Sequence, residues 1–67
     1  MTMNLTVNGQ AHKCNAVTLA ALLEELGYRD ATVATARNGE FVSMDCRDAE
    51  PVEDGDKIEI LAPMKGG

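Results

Sequence analysis

Apolar and polar residues alternate at the start of the chain, over residues 3–7. This period of two is typical of a strand with one buried face. Asn8 and Gly9 follow directly, and this pair favours a tight hairpin turn because both central residues of that turn need a positive φ. The pattern predicts a first strand over residues 3–7 and a second over residues 10–14.

A helical pattern follows the predicted hairpin. Four leucines recur at positions i, i+3, i+4 and i+7, which places them on one face of a helix. They are Leu19, Leu22, Leu23 and Leu26. Thr18 stands where a side-chain oxygen can cap the first turn, and Gly27 stands where a left-handed residue can end the last one. We expect the leucine face to pack in the core.

The middle of the chain predicts a second hairpin. Residues 32–37 form a strand-like run, a second Asn-Gly pair occupies residues 38–39, and residues 40–43 complete the hairpin. Residues 44–52 have no regular pattern and include a proline, which disfavours ladder pairing. We therefore expect an irregular connection there.

The last predicted strand covers residues 57–61, after a polar turn. Successive side chains of a strand point to opposite faces, so Ile58 and Ile60 share one face and Leu61 lies on the other. The first and last strands are the most apolar. We place them side by side and parallel in the centre of a mixed sheet of about five strands, with one hairpin on each side. The sequence predicts an α+β domain over residues 1–62 with one main helix, and a flexible tail over residues 63–67.

Length and charge narrow the classes of function. A chain of 67 residues forms one domain with a small core, so a deep substrate pocket and a self-contained enzyme are disfavoured. The formal net charge of −5 disfavours nucleic acid, which needs a basic surface. The acidic residues of the second half are interpreted as a solvated surface, with electrostatic steering toward a basic partner as the alternative.

The cysteines and the apolar runs of the sequence indicate the cellular compartment of the protein. Cys14 and Cys46 are too few and too far apart for a metal site, and Cys14 is predicted to be a small core residue. No apolar run approaches the ~18 residues of a membrane span, and the start of the chain lacks the pattern of a signal peptide. These features predict a cytoplasmic protein with reduced thiols, not bound to a membrane.

The sequence ends in Gly66 and Gly67. Glycine has no Cβ, so such a backbone can enter a slot that other residues would block. The five residues 63–67 can span roughly 17 Å at about 3.3–3.6 Å per residue. We expect this tail to place its carboxylate in a partner's active site while the domain docks outside. The other interpretation is a loose terminus without function.

The chain resembles the ThiS family, the sulfur carriers of bacterial thiamine biosynthesis, which have a ubiquitin-like β-grasp fold. Three stretches account for the resemblance, and it covers nearly the whole chain. They are residues 8–9, residues 33–39, and residues 54–61 with the terminal glycines. One departure is Ser43 and Met44, where a proline and a basic residue are expected for the family.

The resemblance implies that Gly67 is adenylated by an E1-like adenylyltransferase of the ThiF type, which uses ATP and Mg²⁺. The terminus would then become a thiocarboxylate, with sulfur from a sulfurtransferase or cysteine desulfurase, and would donate it to a thiazole synthase of the ThiG type. Gly66 would give backbone access to the partner's site. The chain itself would bind no cofactor or metal, and would act as a protein co-substrate and not as an enzyme.

Leu61 and Met64 are the candidate docking residues, because a tail must be aimed by a docked domain. Three alternative functions stay open on the sequence. The first is the small subunit of molybdopterin synthase, which would share the thiocarboxylate. The second is a ubiquitin-like modifier that Gly67 joins to a lysine, and the third is a binding module with an unused tail.

Overall fold

This computed structural model describes residues 2–28 and 32–62. These residues contain five strands, one helix and one 3₁₀ turn. In chain order the elements are β1 (Met3–Val7), β2 (Gln10–Cys14), α1 (Leu19–Glu25), β3 (Ala34–Arg37), β4 (Glu40–Val42), the 3₁₀ turn (Met44–Cys46) and β5 (Lys57–Leu61). Met64, Gly66 and Gly67 lie outside the described residues, so the division of the chain after residue 62 stays a prediction.

The strands form one mixed sheet in the order β2-β1-β5-β3-β4. β1 and β5 pair in parallel at its centre, and every other neighbouring pair is antiparallel. The predicted placement of the first and last strands is therefore confirmed.

Both Asn-Gly pairs form the predicted turns. Asn8 and Asn38 each have a φ of 52°, and the following Gly9 and Gly39 have φ values of 83° and 86°. Asparagine tolerates this left-handed region better than other non-glycine residues, and glycine enters it without a steric penalty. The turn chemistry thus fixes the register of both hairpins.

Helix α1 begins and ends as its sequence predicts. The Thr18 side-chain oxygen accepts a hydrogen bond of 3.2 Å from the backbone N–H three residues later. At the other end Gly27 has a φ of 91°, and the Tyr28 N–H donates to the Leu23 carbonyl at 2.8 Å. This left-handed cap satisfies carbonyls that would otherwise be unpaired at the last turn.

The core lies between α1 and one face of the sheet. Leu19, Leu22 and Ile58 are fully buried, and Cys14 is only 2% exposed, which confirms its predicted place in the core. The other buried apolar residues are Leu5, Val7, Ala16, Leu23, Val33, Val42, Val52 and Ile60. Within residues 2–28 and 32–62, no helix has the length and apolar character needed to cross a bilayer.

Two predicted strand boundaries are wrong. The third strand begins at Ala34 and not at residue 32, because Ala34 pairs with Leu61, the last residue of β5, and no partner strand extends beyond it. The fourth strand ends at Val42 and not at residue 43, because the β3–β4 ladder ends where Val42 pairs with Thr35. Ser43 instead begins the 3₁₀ turn.

Candidate functional site

Strand β5 is the element that leads into the C-terminal tail, and its two sides are supported unequally. On the β1 side the backbone pairing covers Lys57 and Ile58 only. On the β3 side the pairing runs the full way to Leu61, which lies opposite Ala34. The last residues of β5 are therefore held by backbone pairing from one side.

A cluster of charged groups holds the start of β5. The Arg37 guanidinium contacts the Asp56 carboxylate at 2.7 Å and the Glu50 carboxylate at 3.1 Å. Asp56 also accepts hydrogen bonds from the Glu53 backbone N–H at 2.8 Å and from the Asn38 side-chain amide at 3.0 Å. Asp56 directly precedes β5, so these contacts connect the loop before the strand to the β3–β4 turn.

The charges of this cluster are stabilised by one another. Burial alone would raise the pKa of Asp56, but hydrogen bonds from Arg37, Asn38 and the Glu53 N–H outweigh it and hold that pKa below its usual range. Hydrogen bonds to Asp56 and Glu50 raise the pKa of Arg37 above its usual value. Both groups stay charged near neutral pH, so the cluster is suited to anchoring and not to proton transfer.

The end of β5 has a different surface. Ile58 and Ile60 are buried whereas Leu61 is 71% exposed, which confirms the predicted alternation. Leu61 lies beside Ala34 on the sheet face opposite α1. Phe41 is 72% exposed. It pairs with Ala36, which pairs in turn with β5, and this register places the Phe41 side chain on the same face as Leu61.

Leu61 and Phe41 form the two walls of a shallow groove. Its volume is about 290 Å³, and its lining includes the small side chains of Ala34 and Ala36, together with Glu59 and Asn8. Two large apolar side chains are exposed around a floor of alanines, whereas a single exposed leucine would need no explanation. Sequence reasoning missed Phe41, although its alternation with the core residue Val42 would have placed it on this face.

Both Asn-Gly turns also contact β5 through their side-chain amides. Asn8 bonds to the backbone of Ile60, near the end of the strand. Asn38 bonds to the backbone N–H of Lys57, at its start. The turn prediction did not include these contacts, since they depend on which strand lies beside each turn.

A larger depression lies on the helix side. It has a volume of about 460 Å³ and is lined by residues of α1, by Tyr28 and by Arg47. The Arg47 guanidinium already donates to the Thr35 side-chain oxygen at 3.0 Å and to the Val33 carbonyl. Two of the three guanidinium nitrogens of Arg47 thus donate within the domain.

The predicted site residues are only partly described by the structure. Leu61 is on the exposed face where the sequence places it, while Met64, Gly66 and Gly67 lie outside the described residues. Across residues 2–28 and 32–62, no three His, Cys, Asp or Glu side chains are grouped to hold a metal ion. Both cysteines are free thiols, with Cys46 exposed.

The sequence matches known proteins over almost its full length. The model of the ThiS family matches residues 5–67. The chain is 37% identical over 62 residues to the sulfur carrier protein ThiS of Thermus thermophilus, an alignment that covers 91% of this chain and 95% of that protein. It is also 42% identical over 66 residues to a thiazole synthase of Paramagnetospirillum magneticum, covering 97% of this chain. The chain spans 20% of the length of that synthase.

The fold matches two solved structures from Geobacter metallireducens. One is a crystal structure of its thiamine biosynthesis protein ThiS, with a TM-score of 0.82 and 38% identity, covering 97% of this chain and all of that one. The other is a solution structure of a thiamine biosynthesis protein, with a TM-score of 0.80 and 36% identity, covering 97% of this chain and 88% of that one. The similarity extends over both the sheet and the helix.

Proposed function

Because the chain belongs to the ThiS family of sulfur carrier proteins in thiamine biosynthesis, we propose that the carboxyl group of Gly67 carries the sulfur. The observation that supports this most is the extent of the family match. It includes residues 5–67, so Gly66 and Gly67 fall within the part of the chain that the family shares. The sulfur is then held on the backbone and not on a side chain.

The carboxylate needs activation before it can accept sulfur. It is ionised at neutral pH, with a pKa of about 3.3–3.7, and is a poor electrophile. An E1-like adenylyltransferase would use ATP with Mg²⁺ and join the carboxylate to AMP as pyrophosphate leaves. A persulfide on a sulfurtransferase or cysteine desulfurase then attacks the acyl carbon and AMP leaves. A second thiol cleaves the S–S bond, which releases the thiocarboxylate on Gly67 and leaves a disulfide on the donor.

In this scheme the chain is a protein co-substrate and the catalytic groups belong to its partners. The pKa of Arg37 is raised and that of Asp56 is lowered, and each group is hydrogen-bonded to the other. Perturbed groups at a catalytic centre are generally poised to exchange protons, whereas these two are stabilised in their charged forms. This supports a role for the two groups in fixing β5.

The docking surface is the groove between Leu61 and Phe41. It lies on the exposed sheet face, and Leu61 is one residue from the last described residue, Ala62. A partner that covers this groove holds the domain next to the start of the tail, so the tail needs little further ordering to reach the active site. Met64, outside the described residues, is the second residue proposed for docking.

Thiazole synthase is the proposed sulfur acceptor. A segment 42% identical to this chain is part of the polypeptide of a thiazole synthase in Paramagnetospirillum magneticum. Such a chain brings a carrier-like segment and a synthase together at a high effective concentration, which supports the same partnership for the separate carrier. The cytoplasm is the proposed location, as the cysteine content and the apolar runs of the sequence predict.

Reconstitution tests the proposal. The thiocarboxylated protein is offered separately to thiazole synthase and to the large subunit of molybdopterin synthase, and sulfur transfer is measured. We expect turnover with thiazole synthase and none with the second enzyme. Turnover with molybdopterin synthase alone would contradict the proposed acceptor, and conjugation of Gly67 to lysines in place of thiocarboxylate formation would identify a modifier.

A further inference from the structure

The backbone ladder between β1 and β5 ends at Asn8. The Thr6 N–H donates to the Asp56 carbonyl at 3.0 Å, and the Asn8 N–H donates to the Ile58 carbonyl at 2.9 Å. In a parallel ladder the next two bonds would join the carbonyl of residue 8 and the N–H of residue 10 to Ile60. Neither can form, because the positive φ of Asn8 turns the chain away into the hairpin.

The Asn8 side chain makes both of these missing bonds. Its Oδ1 accepts from the Ile60 N–H at 2.8 Å, in place of the backbone carbonyl. Its Nδ2 donates to the Ile60 carbonyl at 3.1 Å, in place of the N–H two residues later. One amide group thus extends the ladder by a full step. Aspartate lacks the donor and glycine lacks both groups, so the turn alone does not explain why asparagine is present.

We propose that Asn8 is a positioning residue for the C-terminal tail, an inference that rests on the proposed sulfur-carrier function. Its amide supplies the β1-side support of Ile60, where strand pairing with β1 has already ended. Ile60 is followed at once by Leu61 of the docking groove and then by the tail. The amide therefore fixes the direction in which β5 delivers the tail once the groove is covered.

Asn38 provides a matched control within the same chain. It occupies the same turn position with the same φ of 52°, and its Oδ1 accepts from the Lys57 N–H at 2.9 Å. This contact likewise replaces a backbone carbonyl, but it lies at the start of β5, where the Asn38 Nδ2 also donates to the Asp56 carboxylate at 3.0 Å. Asn8→Gly and Asn38→Gly each remove an amide and keep a residue that tolerates positive φ.

The test compares these two variants as substrates of the activating enzyme. ATP–pyrophosphate exchange is measured against carrier concentration, at a temperature where circular dichroism shows both variants folded. We expect kcat for Asn8→Gly to fall by about tenfold or more, because a small misplacement of a reacting group is costly. The fall in kcat should exceed any rise in KM, since Asn8 lines the groove but Leu61 and Phe41 remain as its walls. Asn38→Gly should keep the wild-type kcat.

Amide hydrogen exchange gives a readout independent of activity. The Ile60 N–H should lose protection in Asn8→Gly and keep it in Asn38→Gly. Equal kcat values for the two variants, or unchanged Ile60 protection in Asn8→Gly, would overturn the inference. Absence of exchange activity with the wild-type chain would instead refute the proposed function, and the inference with it.

Discussion

The two ends of β5 are built differently although they belong to one strand of five residues. At its start, Asp56 is 6% exposed and accepts bonds from an arginine, an asparagine and a backbone N–H. At its end, Leu61 is 71% exposed beside a shallow groove with a floor of alanines. The start of the strand is thus held by interactions within the domain, and its end has an exposed apolar side chain.

This difference separates stability from function along one short element. Charged hydrogen bonds in a partly buried site contribute to folding, and removing one partner leaves the other unpaired. An exposed leucine contributes little to folding and keeps its apolar surface for a complex. Substitutions at the two ends should therefore have effects of different kinds, and the following experiments are designed to separate them.

Deleting Gly67 should have the largest effect on function and almost none on stability. The deletion removes the carboxyl group proposed for adenylation, and it lies beyond every strand and helix of the domain. We expect loss of ATP–pyrophosphate exchange with the activating enzyme and an unchanged melting temperature. Deletion of Met1 is the control for shortening the chain. Full exchange by the chain without Gly67 would refute the proposed site.

Asp56→Asn should have the largest effect on stability. The substitution would leave Arg37 without its closest carboxylate partner, and we expect a loss of roughly 3 kcal/mol in the free energy of unfolding. That is a large share of the few kcal/mol available to a domain of this size. Chemical denaturation measures it. The control is Asp54→Asn, whose exposed carboxylate accepts one backbone N–H at 2.6 Å and should matter much less.

The Asp56 carboxylate should make the stability of the domain depend on pH. The pKa of Asp56 in the folded chain is lowered from 3.8, so its contribution is complete above that unfolded value and is lost as pH falls through the lower folded one. The wild type should therefore lose stability below about pH 4. Asp56→Asn should lose less over the same interval. If the wild type and Asp56→Asn lost the same stability as the pH falls, Asp56 would not be the group that causes the acid sensitivity.

Leu61→Asp should weaken docking without unfolding the domain. A carboxylate at this position would lie in a groove that already includes Glu59, and it must be desolvated when the groove is covered. We expect KM for the carrier in the activation assay to rise by about tenfold or more, equivalent to about 1.4 kcal/mol. Val17→Asp is the control, since Val17 is 70% exposed just before α1 and does not line the groove. A large drop in melting temperature for Leu61→Asp would place its side chain in the core instead.

Replacing both cysteines should have the smallest effect on function. Sulfur is proposed to reside on Gly67, so Cys14→Ala combined with Cys46→Ala should still form the thiocarboxylate. Cys14 is 2% exposed, and its truncation should cost about 1–2 kcal/mol of stability, whereas the exposed Cys46 should contribute none. A folded double variant that accepts no sulfur would contradict this account.

Local patterns predicted most of the fold. The leucine spacing of α1, the two Asn-Gly turns and the alternation around Leu61 each depend on neighbouring residues, and each is confirmed. The boundaries at residues 32 and 43 were wrong because a strand ends where its partner ends. That length is set by another part of the chain, as the pairing of Ala34 with Leu61 shows.

The contacts that hold β5 could not be predicted from local patterns. Arg37 and Asp56 are 19 positions apart, and Asn8 and Ile60 are 52 apart. Their proximity follows from the register of strands that meet only in the folded sheet. The one sequence signal for the charged cluster was the alternation in β3, which places Arg37 on the same face as the buried Thr35 and so implies a partner.

The location of sulfur on the chain tests the central claim most directly. The protein is isolated from cells that contain the activating enzyme and the sulfur donor, digested, and measured by mass spectrometry. We expect one oxygen to be replaced by sulfur in the peptide that ends in Gly67. Sulfur found on Cys46, or a terminal peptide that keeps both oxygens while the wild-type pathway is active, would contradict the account.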